Sequence, residues 1–337
     1  MKRRGESARA GMTLLELLLV LSLLALILGG GLGLFAALDL GKRQAAGLVR
    51  NIVRSAENTA IARNSPARVR IDRQAGTIRA ESLLIVGTYH FEGQAIAGYG
   101  PEGRADPELF SDEGFMGAAF HPAGRIGATA EIPVTHDPAF DFTRGFAIEC
   151  AIFREQETNG RLFSLGASEP PTLALEVNRA GALRGRFRTR LGDEFSQKAG
   201  GQAVIESESG LIPLGRWTQV RMQYDRESFA LLVDGAPVSS QEEHSFVWKT
   251  DGPLLLSDRT LPFPGKIDSL VIGALIAGEP GVLPRSVHFA PESPARIEFE
   301  AGGALNRRLH ADPPRIVLEY EDGARDTVVV GFYGTVE

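Results

Sequence analysis

Three kinds of residue in this 337-residue chain could carry chemistry. The first is Glu16, a lone carboxylate in the apolar run AGMTLLELLLVLSLLALILGG, Ala10 to Gly30. A charged group in a membrane-length segment is costly and marks a functional site by default. The second is Cys150, the single cysteine, within the apolar stretch FAIECAIF. A nucleophilic thiol needs a base beside it, and the six histidines are scattered without such spacing. A buried, inert thiol is therefore expected, and one cysteine supports neither an internal disulfide nor a cysteine metal cluster. The third kind is the acids. HDPAFD, His136 to Asp141, offers oxygens of the sort a hard cation takes, but Asp and Pro make ordinary turns equally well. Glu149 and Asp268 stand alone and are expected at strand ends or facing outward. Hydrolysis of a glycosidic bond needs two carboxylates held close together, and no strand carries such a pair. The expectation is no catalytic residue, no cofactor and no bound metal.

The elements that position these residues begin with a short basic segment, MKRRGESARAG, which holds its end in the cytoplasm if a membrane span follows. From Met12 to Leu38 the polar side chains are Thr13, Glu16 and Ser22. Leu17 to Leu38 measures roughly 33 Å as a helix at about 1.5 Å per residue, enough to cross a hydrocarbon core of about 30 Å. That run is too long for an ordinary secretory signal, and no Ala-x-Ala-like site follows it cleanly. Beyond it, Leu48, Val49, Ile52, Val53, Ala56, Ala60 and Ile61 recur at three- and four-residue steps and predict a continuing amphipathic helix. Asn64-Ser65-Pro66 stops it.

The remainder reads as β-structure rich in turns, with 39 glycines and 19 prolines spread along the chain rather than clustered. A net charge of −6 leaves no basic field that would argue for nucleic acid. Length alone suggests about two domains. In WTQVRMQY, alternation puts Val220, Met222 and Tyr224 on one face and Arg221 and Gln223 on the other; Phe229, Leu231 and Val233 repeat the rule. Trp217 and Phe146 are expected in the core.

The sequence G-MTLLE closely resembles the class III leader of type IV pilins and type II secretion pseudopilins. The resemblance implies that a prepilin peptidase cuts between Gly11 and Met12 and methylates the new N-terminus at Met12. It also implies that Glu16, five residues into the mature chain, pairs with the N-terminal ammonium of a neighbouring subunit during assembly. Met12 stands where the family often has phenylalanine, and GGGLG, Gly29 to Gly33, replaces a helix-kinking proline. Glycine weakens a helix by about 1 kcal/mol relative to alanine, so a loosened section is expected there. AENTAIARNSPARVRIDRQAGTI resembles the helix-to-first-strand passage of H-type minor pseudopilins. The strands that should complete such a head reappear only at the C-terminus, in ARIEFEAGGAL and RIVLEYEDGARDTVVVGFYGTVE.

Between these pieces, GTYHFEGQ, GRLFSLG, LALEVNRAGALRGRF, LGRWTQVRMQYDRESFALLVDGAPV and PFPGKIDSLVIGALI resemble the laminin-G-like, concanavalin A-like jelly roll. The expected fold class is α+β, mostly β: a long N-terminal transmembrane and amphipathic helix, a small pilin sheet, and an inserted two-sheet jelly-roll sandwich. The expected divisions are a leader at 1–11, a span at 12–38, stalk and first strands at 39–82, the insertion at 83–283 and completing strands at 284–337. The resemblances imply a non-enzymatic minor pilin or pseudopilin, single-pass in a bacterial inner membrane, its later domains in the periplasm or an extracellular filament. Its implied partners are prepilin peptidase, other pilin subunits, the inner membrane and a glycan or protein ligand at the sandwich rim. The alternative is a membrane-anchored, lectin-like glycan- or protein-binding module, calcium-dependent or not.

Overall fold

The computed structural model describes residues 14–336 apart from 93–94, 136, 193–194 and 250–251. A single helix, α1, runs Leu14–Arg63 without interruption, so the glycine cluster expected to loosen it is helical in backbone. Among the described residues no helix is long and apolar enough to cross a membrane. Of the expected span at 12–38, side chains are described for residues 17–24. There Leu17, Leu18, Leu19, Val20, Leu21, Leu23 and Leu24 are all exposed, an oily surface on every side of the helix. Farther along, one face takes over: Ala45, Val49, Val53, Ala56 and Ala60 are fully buried. Ile61, expected on that face, is instead 52% exposed. Asn64 ends the helix in the left-handed region at φ 46°, a conformation asparagine tolerates, and its N–H reaches back to the Ile61 carbonyl at 3.3 Å.

The chain then forms a hairpin, β1 at Ala67–Asp72 and β2 at Thr77–Glu92. Asp72 Oδ1 accepts the backbone N–H groups of Gln74 and Ala75 at 3.0 and 2.9 Å, which fixes the turn between them. The larger sheet runs, edge to edge, Ala236–Glu242, Ser228–Val233, Trp217–Tyr224, Phe146–Arg154, Gly265–Ala277, β2, β1 and Arg296–Phe299. A second sheet, Ala199–Glu206, Leu183–Arg190, Leu173–Val177, Gly160–Leu165, Leu254–Leu256 and Ala130–Ile132, ends on Arg104–Ala105. The two face one another across a core that includes Phe146, Phe163, Phe187, Tyr224 and Phe229, a mostly-β, jelly-roll-like sandwich. Val220, Met222 and Tyr224 point inward while Arg221 and Gln223 are half-buried on the outer face, as the alternation requires.

A second core is built from both ends of the chain. The buried face of α1 packs with Val69, Ile71 and Ile78 of the hairpin and with Ile297, Phe299, Ile316, Leu318 and Val328 from the C-terminus. The hairpin joins the C-terminal piece through β1, which pairs Val69 with Ile297 and Ala67 with Phe299. A three-stranded sheet, Val287–Phe289, Arg315–Tyr320 and Arg325–Val329, completes this base. Gly281 lies close against the helix, where a Cβ would come within 2.4 Å of Ile52 Cδ1.

β2 belongs to both bodies. Its first half pairs with β1 from Thr77 to Ser82, and its second half pairs with Gly265–Ala277 from Glu81 to Tyr89. Ile78 sits in the base core, and Val86, Tyr89 and Phe91 in the sandwich core. The boundary read from the sequence at Leu83 thus falls inside one strand. Directly opposite on the hairpin, Arg68 and Glu81 form a buried ion pair at 2.8 Å. Arg68 also reaches the sandwich, binding Asp225 Oδ2 at 2.9 Å in the turn between Trp217–Tyr224 and Ser228–Val233. Next to it, Glu227 of that turn receives Arg70 at 3.4 Å and pairs closely with Arg296.

Removing one member of a buried ion pair leaves an uncompensated charge, typically costing about 3–5 kcal/mol, whereas replacing both with apolar groups is close to neutral. Arg68→Met alone is therefore expected to lower unfolding stability by about 3–5 kcal/mol, and Arg68→Met with Glu81→Leu to restore most of it. Urea unfolding of the three proteins checks this; equal stability of the single variant and the parent would show that the pair is not the fastening.

Candidate functional site

Carboxylate, hydroxyl, ammonium and aromatic groups converge at one rim of the sandwich. The loop Val134–Thr143 leads into the strand Phe146–Arg154. Within it Asp137 caps a short turn of 3-10 helix, Pro138–Phe140, its Oδ1 accepting the Ala139 N–H at 2.9 Å. Four residues on, Asp141 Oδ1 accepts the Thr143 N–H at 2.9 Å. Phe140 and Phe142, between and after these acids, are sunk in the core, edge-to-face with ring centroids 6.2 Å apart. The loop is thus nailed down by its aromatics while its acids stay at the surface. With Leu165, Thr172, Trp248 and Lys249 these residues line a cleft of about 290 Å³.

Thr172 is held at both backbone groups: its N–H donates to Leu165 C=O and its C=O accepts from Arg188 N–H, each at 2.7 Å. Its side chain is buried, and Oγ1 has no hydrogen-bond partner among the described residues. The Trp248 ring is held by two guanidinium groups, Arg188 at 5.3 Å and Arg190 at 5.7 Å from its centroid. Behind the loop, burial and then the Asp137 charge push the Tyr89 hydroxyl up to about 12, so it stays protonated.

The residues singled out in the sequence are placed as follows. Gly11 and Met12 lie outside the described residues, and Glu16 is in the first turn of α1 with its side chain outside them. Cys150 is fully buried in the strand Phe146–Arg154, and burial, then the neighbouring Glu149, pushes its thiol far up. Glu149 faces outward, 3.7 Å from Arg221. Asp268 is not exposed: it is fully buried in mid-strand, accepting the N–H groups of Met116 at 2.8 Å and Ser269 at 2.6 Å. Asp268 shares parity with Lys266, on the face opposite the core residue Ile267, and there the loop carrying Met116 covers it. Phe146 is in the core as expected, but Trp217 is half-buried on the outer face, paired across the strands with Phe153 at 5.5 Å and covered by Phe115 at 5.9 Å.

Alternation itself places Trp217 there, since it shares parity with Gln219 and Arg221. Thr172 and Trp248 carry no motif; the one signal for Trp248 is an aromatic residue beside a lysine in the polar stretch SFVWKTDG.

Elsewhere two carboxylates do meet, but around a cation. Glu176 and Asp258 bind Arg161 at 2.9 and 2.6 Å. Burial raises the Asp258 carboxyl, yet hydrogen bonds from Thr260 and Leu261 and the Arg161 charge leave it below the usual carboxylate range. Such a carboxylate holds no proton to give near neutrality. Among the described residues no group of three or more His, Cys, Asp or Glu is placed to hold a metal ion.

No family model matches the chain, and no curated protein does. Solved structures are similar over part of the chain. The Trypanosoma rangeli sialidase is 12% identical over 56% of this chain and 30% of its own, with a TM-score of 0.40. The binding domain of botulinum neurotoxin serotype G is 10% identical over 56% of this chain and 47% of its own, with a TM-score of 0.42. Domain 4 of an extracellular GH43 arabinanase from Geobacillus stearothermophilus, solved with arabinotriose, is 18% identical over 57% of this chain and 93% of its own, with a TM-score of 0.34. This chain therefore spans about a third of the sialidase's length, at 30%. At these TM-scores the likenesses carry no argument about this chain.

The buried thiol gives a direct check. Native protein should resist thiol reagents between pH 7 and about 9, where a free cysteine begins to ionise at about 8.5. One thiol per chain should then react after unfolding, counted by absorbance; rapid labelling of the native chain would show Cys150 to be accessible.

Proposed function

We propose that this chain is a membrane-anchored binding module, its β-sandwich meeting a glycan or protein ligand at the rim and its helix and base forming a pilin-like mount. The observation that carries the reading is the division of labour between two cores. One core closes a sandwich with a polar, aromatic-walled cleft; the other is a small sheet, drawn from both ends of the chain, laid on the buried face of α1. A small base on a helix with an oily leading section is what an anchored, presenting role requires. The carboxylates support binding rather than hydrolysis: Glu176 and Asp258 share a guanidinium, Glu149 faces Arg221 and Asp268 serves backbone N–H groups.

The finer form of the proposal rests on G-MTLLE and on the helix that follows it. Cleavage between Gly11 and Met12 frees an ammonium group on a methylated Met12, and Glu16 of one subunit pairs with that group on another. In hydrocarbon a lone carboxylate is expensive, so pairing on assembly supplies a driving force absent from the single subunit. The chain then acts as a minor subunit of a type II secretion or type IV pilus filament in the inner membrane, with the sandwich displayed beyond it. A head of this size crowds a continuous filament, which favours a sparse or tip position.

Mass spectrometry of the mature protein should find a chain beginning at N-methylated Met12. An intact leader, or a cut beyond the apolar run, overturns the filament reading. Glu16→Ala should insert and be processed at normal levels yet lose most of its cross-linking to partner subunits; undiminished incorporation would remove Glu16 from assembly.

A further inference from the structure

The strand Phe146–Arg154 runs the length of the sandwich. At its start, beside the base, Phe146 is paired with Tyr224, and the residue after Tyr224, Asp225, binds Arg68. At its other end Phe153 is paired with Trp217. Phe146 and Phe153 are about 23 Å apart at roughly 3.3 Å per residue. On the outer face of this far end, apolar side chains meet water: Met116 is 58% exposed, Leu214 43% and Phe115 41%. Trp217 touches both Phe115 and Phe153, with ring centroids 5.9 and 5.5 Å away. Leu214 is bridged to Arg154, the residue after Phe153.

Phe115 and Met116 occupy a tight turn, in which the Gly114 N–H donates to the Gly117 carbonyl at 2.7 Å and Gly117 takes φ 78°. The Met116 N–H donates to Asp268, a fully buried carboxylate, at 2.8 Å. Beside the turn, Glu113 pairs with the buried Lys266 at 2.9 Å. Burying a carboxylate and an ammonium is costly unless each is bonded, and here both bond to the segment that carries Phe115 and Met116. Folding gains nothing from leaving those two side chains in water. Two buried charges that fix an exposed apolar pair are a local conflict of the kind proteins keep at functional sites.

We infer that this far end of the larger sheet is a docking surface for a partner protein, taking a segment whose apolar side chains are flanked by lysine or arginine. The inference rests on the binding-module reading and moves protein recognition from the rim cleft to the opposite end of the sandwich, away from the base. Aromatic residues and methionine are enriched where interfaces form, and aromatic side chains dominate their binding energy. The margin selects the partner by charge. Asp112, Glu113, Glu155 and Glu157 lie in the segments flanking Phe115 and Phe153. Among basic groups at this end, Arg154 and Lys266 are buried, Arg216 meets Asp234 at 3.6 Å and His121 meets Glu155 at 2.9 Å. Asp112 and Glu157, both exposed, therefore leave the margin acidic. A second copy docked on the same patch would set carboxylates against carboxylates, and an anionic lipid surface would repel them. A sugar stacks on an open ring, whereas Trp217 is half-buried with phenylalanines tilted against it at 59° and 52°.

The test holds the full chain in a lipid nanodisc, so that no detergent covers the patch. A phage-displayed library of random linear peptides is selected on it and counter-selected on empty discs. Enriched peptides should carry aromatic or aliphatic residues flanked by lysine or arginine and bind saturably in the micromolar range. The chain has two tryptophans, so a Trp248→Phe background leaves Trp217 as the sole indole, and its emission should shift as peptide binds. Phe115→Ser with Met116→Ser should weaken binding at least about tenfold, with an unchanged far-ultraviolet circular dichroism spectrum. Asp112→Lys with Glu157→Lys, which leaves the apolar group intact, should weaken the same peptides and remove the fall in affinity with added salt. Peptides that bind the serine variant as tightly as the parent would place recognition elsewhere, leaving the binding-module reading intact and this surface wrong. Failure to enrich any peptide over empty discs would overturn the surface while leaving the glycan form of that reading untouched. Quenching of Trp217 by added brominated-lipid vesicles, without peptide, would assign the patch to a membrane and overturn the protein partner.

Discussion

One strand carries the mechanical relation between the two halves of this molecule. Because β2 contributes Ile78 to the base core and Val86, Tyr89 and Phe91 to the sandwich core, neither body can shift along it without disturbing the other. Side chains alternate across a strand, so a slip of one residue would expose both sets at once. The Arg68–Glu81 pair reinforces this register, since the two residues stand directly opposite and Glu81 is almost wholly out of water. A buried charge is satisfied in one register and stranded in its neighbours, the best-attested use of such pairs. Arg68 then extends the constraint from strand pairing to orientation by holding Asp225 across the junction.

Regions of regular periodicity were legible in the sequence, and the exceptions have physical causes. The inward set Val220, Met222 and Tyr224 follows from a period of two over a straight strand, and the stop at Asn64 follows from the proline two residues later. Asp268 keeps the outward parity of its strand yet is fully buried, because the loop carrying Met116 lies over it, and cover from a distant loop leaves no mark in residue type. Ile61 has the spacing of the buried face but lies at its edge, one residue round from the fully buried Ala60, and its neighbour in the facing loop is Gly303, which has no side chain to cover it. That β2 is shared between the two cores leaves no mark at Leu83, because a change of partner along one strand alters its neighbours, not its pattern.

HDPAFD stands out in the sequence as a loop with acids, whose oxygens fit a hard cation or an ordinary turn, with no bound metal expected. Local turn chemistry then takes one oxygen of each aspartate, which changes what the loop can bind. Thr172 and Trp248 come from segments distant in sequence, brought together by the pairing of Leu173–Val177 with Gly160–Leu165 and by the Trp248 N–H bond to the Arg188 carbonyl. No local pattern announces such a meeting, because it is a property of sheet order.

The cleft and the mount are not independent. The 3-10 turn at Pro138–Phe140 presents Asp137 to the cleft on one side, while Pro138 and Ala139 line a groove with Arg63 and Ser65, at the top of the stalk, on the other. Phe140 also packs near Gly87 and Tyr89 of β2, where a Cβ on Gly87 would come within 2.8 Å of the Tyr89 ring and 3.3 Å of Phe140. A continuous packed path thus runs from the base through β2 to the wall of the cleft. Sites held by rigid elements keep their geometry better than sites on free loops. That rigidity has a further consequence: the direction in which the cleft opens is fixed relative to α1 by the packing through β2.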